Sequence, residues 1–285
     1  MPEVSSGKLT RMENFQSKFV NPRNIDVWLP DGYGTGKKYA VIYMHDGQML
    51  FDSTTTWNKQ EWHVDEVITK LNSEGKTRDC IVVAIFSNNE YRNAEYFPEV
   101  ALDRLLEPTR GSIVTALLNG KPLSDNYLKF IVEELKPYID KTFSTFSDPS
   151  NTIIMGSGMG ALISVYAFCK YPDVFGGAGC LSTHWPVIGS GLLYNPTITD
   201  NTAMAFREYL SFNLPRPPRG KIYFDFGSEP PDGLYKPYQQ LVDIIMKKTG
   251  YTSANWITRE IAGGNQSERS WSRRLHIPLE FLLSK

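Results

Sequence analysis

The sequence predicts an α/β protein, a mostly parallel sheet with helices on both faces. Short runs rich in β-branched and aromatic residues alternate with segments of helical periodicity along the chain. Ala40–Met44 and Ile81–Ile85 are apolar throughout, as central parallel strands buried on both faces are. No repeat and no low-complexity linker divides the 285 residues, so residues 1–285 are expected to form a single domain.

Strands are expected at Ile25–Leu29, Tyr39–His45, Cys80–Phe86, Thr152–Met155, Gly179–Ser182, Lys221–Phe226 and Trp256–Glu260. Between them, Asn126–Thr142 sets Leu128, Ile131, Val132, Leu135 and Ile139 on one stripe, with Ser124 or Asp125 as the N-cap oxygen. Ala161–Tyr171 follows a glycine-rich turn. Tyr238–Lys248 and Arg269–Leu283 complete the helices, the last interrupted by Pro278. Pro215–Pro218 reads as a rigid connector ahead of a strand.

Composition excludes several classes. Thirty Lys and Arg stand against 31 Asp and Glu, a net charge of −1, so no basic field favours nucleic acid or an anionic membrane as partner. Apolar runs fall far short of the roughly 18 residues a membrane span needs. Met1–Phe15 is polar and lacks the apolar run of a leader, which makes a cytoplasmic location the expectation and leaves open a leader removed earlier. Cys80, Cys169 and Cys180 are widely spaced and form no CxxC pair, so each reads as a small buried hydrophobe. The four histidines include no i, i+4 pair and no H-E-x-x-H, and neither metal nor cofactor is expected.

Chemistry concentrates at Gly156-Ser157-Gly158-Met159-Gly160, between a strand and a helix. The form is that of a G-x-S-x-G nucleophile elbow, in which glycines permit a sharp turn and the following helix N-terminus faces a developing oxyanion. The nucleophile position holds Gly158, and Ser157 stands one residue early.

Further segments accompany the elbow in order: Tyr43-Met-His-Asp-Gly-Gln48-Met-Leu-Phe-Asp52, Trp57-Asn-Lys-Gln-Glu-Trp62, Glu95–Pro98, Cys180–Pro186, Asp225–Glu229 with Asp232, and Ser267–Trp271 followed by Arg274–Leu282. With these the chain, from about residue 20 onward, resembles the esterase family of α/β-hydrolases, which includes S-formylglutathione hydrolase, feruloyl esterase and enterochelin esterase relatives. The resemblance implies an α/β-hydrolase fold and a carboxylic ester hydrolase scaffold. It implies that Gly158 occupies the nucleophile position, that the Gln48 and Met159 N–H groups form the oxyanion hole, and that Asp232 is the triad acid, with Glu229 as the alternative. Gln266 stands at the histidine position. Glycine has no hydroxyl, and glutamine is no general base near neutral pH.

The leading expectation is an esterase scaffold whose Ser-His-Asp triad is disabled, as in a natural pseudoenzyme or an engineered variant. An active hydrolase built on Ser87 or Ser157 with His63 or His184 is one alternative; a surface His63 and a loop Ser87 are the plainer reading of that pair. A non-catalytic binding or interaction module is the other. His45 is expected to order the oxyanion loop. Trp57, Trp62, Phe86, His184 and Trp185 are candidates to hold a small-molecule ester or carbohydrate-derived ligand, the tryptophans and Phe86 being equally readable as core. Arg92, in the polar turn Ser87–Asn93, is a candidate carboxylate or phosphate contact.

Overall fold

A computed structural model describes residues 1–34, 36–187 and 195–284. Eight strands form one sheet: β1 (Lys8–Phe15), β2 (Arg23–Leu29), β3 (Ala40–Met44), β4 (Cys80–Ile85), β5 (Thr152–Ser157), β6 (Gly177–Leu181), β7 (Lys221–Gly227) and β8 (Trp256–Ile261). Their spatial order is β1-β2-β4-β3-β5-β6-β7-β8. The β1–β2 and β2–β4 pairs are antiparallel and the other five are parallel.

The apolar runs take the centre because both faces are covered. β3 and β4 are buried at every position. Val41, Tyr43, Ile81 and Val83 enter one core with the helices α2 (Arg92–Tyr96), α3 (Thr109–Ala116), α4 (Ser124–Lys129), α5 (Lys136–Thr142), α6 (Met159–Lys170), α7 (Pro196–Asn213) and α8 (Lys236–Thr249). The alternate residues Ala40, Ile42, Met44 and Val82 enter the other, against α1 (Val64–Ser73), α9 (Glu268–Arg274) and α10 (His276–Leu282). Each large aliphatic side chain so buried contributes about 1.5–3 kcal/mol. The three cysteines are buried and free, within these cores.

Several boundaries differ from the sequence expectation. β1 had no strand signature, because it is an edge strand whose residues are mostly half-buried or exposed. α1 and α7 also lie outside the elements expected from the sequence. Ser124 and Asp125 do not cap a helix beginning at Asn126: α4 starts at Ser124 without a side-chain cap. Tertiary partners take both side chains, the Glu99 N–H for Ser124 Oγ at 2.9 Å, and Tyr166 and Lys170 for Asp125. The expected helix over 126–142 contains a π turn, Phe130–Leu135, just before Pro137, whose ring nitrogen has no proton to give the helical ladder. The final helix breaks at Leu275, as the missing N–H of Pro278 and its clash one turn back require.

The order places β4 on one side of β3 and β5 on the other. Chain direction out of β3 and β5 therefore diverges, and a crevice opens beyond their carboxyl ends.

Candidate active site

The crevice is a cleft of about 500 Å³ lined by, among others, Gln48, Ser87, Arg92, Gly158, His184 and Gln266. Its walls are the segments that follow β3, β4, β5, β6 and β8, together with α9.

At the elbow Gly158 has φ 59° and ψ −117°, a conformation L side chains rarely adopt. A Cβ placed there would lie 3.0 Å from Gln266 Nε2. The Tyr235 hydroxyl donates to Gln266 Oε1 at 3.0 Å, which turns the amide nitrogen toward Gly158. Beneath the elbow, a Cβ at Gly156 would come within 3.1 Å of the His45 ring, so that glycine is needed for close approach. His45 Nδ1 shares a 2.8 Å hydrogen bond with the Tyr127 hydroxyl. Burial pushes the His45 imidazole down to about 3, so the ring stays neutral.

The loop after β3 is fixed on every side. Arg92 grips Asp46 with two 2.7 Å bonds. Burial pushes the Asp46 carboxyl up, yet the Arg92 charge, with hydrogen bonds from Arg92 and Ser87, holds it below its usual value. Gln48 Nε2 donates to Ser87 Oγ at 2.7 Å, and the Ser87 N–H donates to Gln48 Oε1 at 3.1 Å. Arg92, read in the sequence as a contact for a ligand anion, thus has an internal carboxylate partner.

On the opposite side Asp232 is fully buried. Its Oδ2 accepts from Ser182 Oγ at 2.5 Å, from the Gly227 N–H at 3.1 Å and from Arg274 at 3.4 Å. Its Oδ1 is buried with no hydrogen-bond partner among the described residues. Arg274 also bonds Asp225 Oδ1 at 3.1 Å, and Trp271 Nε1 donates to Ser182 Oγ at 2.8 Å. Burial raises both carboxyls, Asp225 to about 6, against the opposing pull of Arg274.

The sequence candidates separate clearly. Gly158, Met159, Gln48, Gln266, Ser87, Ser157, His184, Trp57 and Trp62 all line the cleft. Trp62 stacks on Trp271 with ring centroids 5.3 Å apart, and the His184 ring lies 5.2 Å from that of Tyr235. His63 lies instead in a separate depression with Glu61, Arg269 and Arg273, so the structure does not bring it together with Ser87. Trp185 is core: it is 2% exposed, and its Nε1 donates to Gln239 Oε1. Phe86 lies outside the cleft lining, under the Arg11 guanidinium at 5.1 Å. Glu229 is exposed, whereas Asp232 is buried beside β7. Sequence reasoning missed Tyr235, which orients Gln266, and Ser182, which holds Asp232; neither carries a local signal. Among the described residues no three His, Cys, Asp or Glu side chains are grouped to hold a metal ion, and no helix is long and apolar enough to cross a membrane.

Sheet order, elbow and cleft together define an α/β-hydrolase of the esterase type. The family model described as "Putative esterase" matches residues 17–249, and the chain belongs to that family. The uncharacterized protein YbbA of Bacillus subtilis is 23% identical over 186 residues, 65% of this chain and 66% of that protein. An endo-1,4-beta-xylanase/feruloyl esterase of Xylanibacter ruminicola is 24% identical over 258 residues, 88% of this chain and 29% of that protein. The chain spans less than two thirds of the length of the curated relatives it matches. A ferulic acid esterase structure from Anaeromyces mucronatus shares the fold with a TM-score of 0.65 at 20% identity, over 99% of this chain and 93% of that one.

Proposed function

We propose that this chain binds a carbonyl-bearing ligand, an ester or a carbohydrate-derived molecule, without hydrolysing it through a Ser-His-Asp triad. The observation that carries this reading is the Gly158–Gln266 approach. The direction a nucleophile side chain would take leads to an amide nitrogen 3.0 Å away, where a base would have to stand. An amide cannot take the proton, and glycine has none to give. The oxyanion side supports binding, since the Met159 N–H at the start of a 12-residue helix and the braced Gln48 loop leave donors for a carbonyl oxygen. The Anaeromyces esterase has been captured with ferulic acid, which suits an aromatic acyl group for the present cleft, where Trp62 stacks on Trp271.

The test is to treat the purified chain with a fluorophosphonate probe and map any adduct by peptide mass spectrometry, alongside a ligand titration followed by tryptophan fluorescence. No adduct and background ester turnover, with saturable quenching by a methyl hydroxycinnamate, is the expected result. An adduct on Ser157 or Ser87 with turnover above background overturns the reading.

A further inference from the structure

Residues 3–7 precede β1 and are bonded to the first turn of α1. The Ser5 and Ser6 N–H groups donate to Asp65 Oδ2 at 2.7 and 3.3 Å. Ser5 Oγ donates to Glu66 Oε1 at 2.7 Å, and Ser6 Oγ lies 2.7 Å from Thr69 Oγ1. The Trp28 indole N–H donates to the Ser6 carbonyl at 2.8 Å. At the other end the Glu3 N–H donates to Asp52 Oδ2 at 2.9 Å, and Val4 packs on the core that holds Trp62 and Trp271. Asp52 opens the loop that ends at His63, and this loop gives Trp57 and Trp62 to the cleft. The segment thus ties together the two ends of a cleft wall, Asp52 at its start and α1 after it.

Its anchor is a pair of adjacent acids. Asp65 is fully buried and Glu66 half-buried. One carboxylate in the first turn of a helix is favoured by the backbone dipole, but two in contact repel. Asp65 Oδ1 and Glu66 Oε2 are both buried with no donor among the described residues, and the two carboxyls hydrogen-bond each other. Ionised carboxylates only accept, so that bond needs a shared proton. Burial, then the hydrogen bond and charge of Glu66, pushes the Asp65 carboxyl up to about 7. Burial also pushes Glu66 up, yet hydrogen bonds from Asp65 and Ser5 hold it below its usual value. No cation among the described residues forms an ion pair with Asp65. His63 Nδ1 lies 3.6 Å from Glu66 Oε1 and from Glu61 Oε1. The other charges on the elements around the pair are Glu3, Asp31 and Asp52 along the segment, Lys70 on α1, Lys76 with Glu280 of α10, and Arg11 with Asp26 on the sheet.

We propose that residues 3–7 are a pH-governed strap, docked on Asp65 and Glu66 while the two carboxyls share one proton and loosened when that proton leaves, and that the strap sets how firmly the tryptophan-bearing wall of the cleft is held. Release would return water to both carboxyls, so the docked strap holds the proton more tightly than the free one. Docking is therefore firmest in mild acid and weakens as the pH rises from the usual carboxylate range toward about 7. Glu66, held low, adds the opposite loss only in stronger acid. The strap would act on the wall whether or not the cleft takes the ligand proposed above.

The experiment follows deuterium uptake of residues 3–7 and of the loop 52–63 in the full chain at about pH 5.5 and about pH 8, each corrected for intrinsic exchange at that pH. The wild type is expected to protect the Ser5 and Ser6 amides about tenfold better at the lower pH, with the loop following in the same direction. Asp65→Asn, whose amide can donate to Glu66 with no proton to lose, should protect the strap equally at both. Ser5→Pro removes one strap donor without touching the core and should leave the Ser6 amide poorly protected at both. His63→Gln should keep the wild-type difference. Equal protection of the wild type at both pH values, a difference that survives in Asp65→Asn or disappears in His63→Gln, or full protection in Ser5→Pro would overturn the strap's dependence on the shared proton. A strap that responds while the loop does not would overturn its hold on the cleft wall.

Discussion

The loop after β3 and the side of the cleft built by Gly158, Gln266 and Asp232 are built to different standards. On the first, Asp46 has Arg92, Gln48 has Ser87 and His45 Nδ1 has Tyr127, while the neutral ring's Nε2 is buried with no hydrogen-bond partner among the described residues. On the second, Gly158 has no side chain, Gln266 bonds Tyr235, and a buried carboxylate oxygen of Asp232, which is harder to leave bare than a neutral imidazole nitrogen, has no hydrogen-bond partner among the described residues. In a protein interior such an oxygen costs free energy unless something nearby donates to it. The contrast separates two requirements of ester hydrolysis. On the binding role proposed for the cleft, the loop after β3 and the Met159 N–H would hold a carbonyl oxygen, whereas Gly158 and Gln266 have no group to move a proton.

Breaking the braced side has the largest expected effect on the folded state. Arg92→Met leaves Asp46, whose side chain is 15% exposed, without its cation, and should cost about 2 kcal/mol by thermal or denaturant unfolding. It should also weaken binding of a cinnamate ester, because the loop bearing the Gln48 N–H loses its anchor. The elbow comes next. Gly158→Ala places a Cβ in a strained backbone region and against Gln266, for a loss of about 1–2 kcal/mol. The smallest effect is expected at Asp232. An asparagine keeps an oxygen for Ser182, Gly227 and Arg274 and no longer buries a charge, so Asp232→Asn should change stability by less than about 1 kcal/mol and leave ligand affinity unchanged. In a working triad the equivalent change removes orders of magnitude of rate. A comparable loss of function here would mean that Asp232 serves a proton transfer after all.

Much of this was readable from the sequence, and the exceptions have physical causes. The central strands were legible because burial on both faces leaves an unbroken apolar run, as in Val41-Ile42-Tyr43. The edge strand β1 was not, since Lys8–Phe15 faces solvent along much of its length. The helix α1 carries its signal in Val64, Ile68 and Leu71, all buried on one stripe, but ten residues hold only this short apolar set. In the cleft, Gly158 is legible from the elbow motif and Gln266 from the family resemblance. Their proximity was not, because the two segments lie over 100 residues apart and meet only through the sheet order β5-β6-β7-β8. Trp185 and Trp62 show the limit of composition: both follow residues near strand ends or loops, yet one packs on Phe224 in the core and the other lines the cleft.

The most direct test of the contrast is to supply the missing groups together. A folded Gly158→Ser/Gln266→His variant is expected to hydrolyse a p-nitrophenyl or methyl hydroxycinnamate ester at least about a hundredfold above the wild-type background and to take a fluorophosphonate label at the introduced serine. Each single variant should remain near background, because the groups act as a unit. A folded double variant that stays inert and unlabelled would contradict the claim that this cleft is an esterase site lacking only its nucleophile and base.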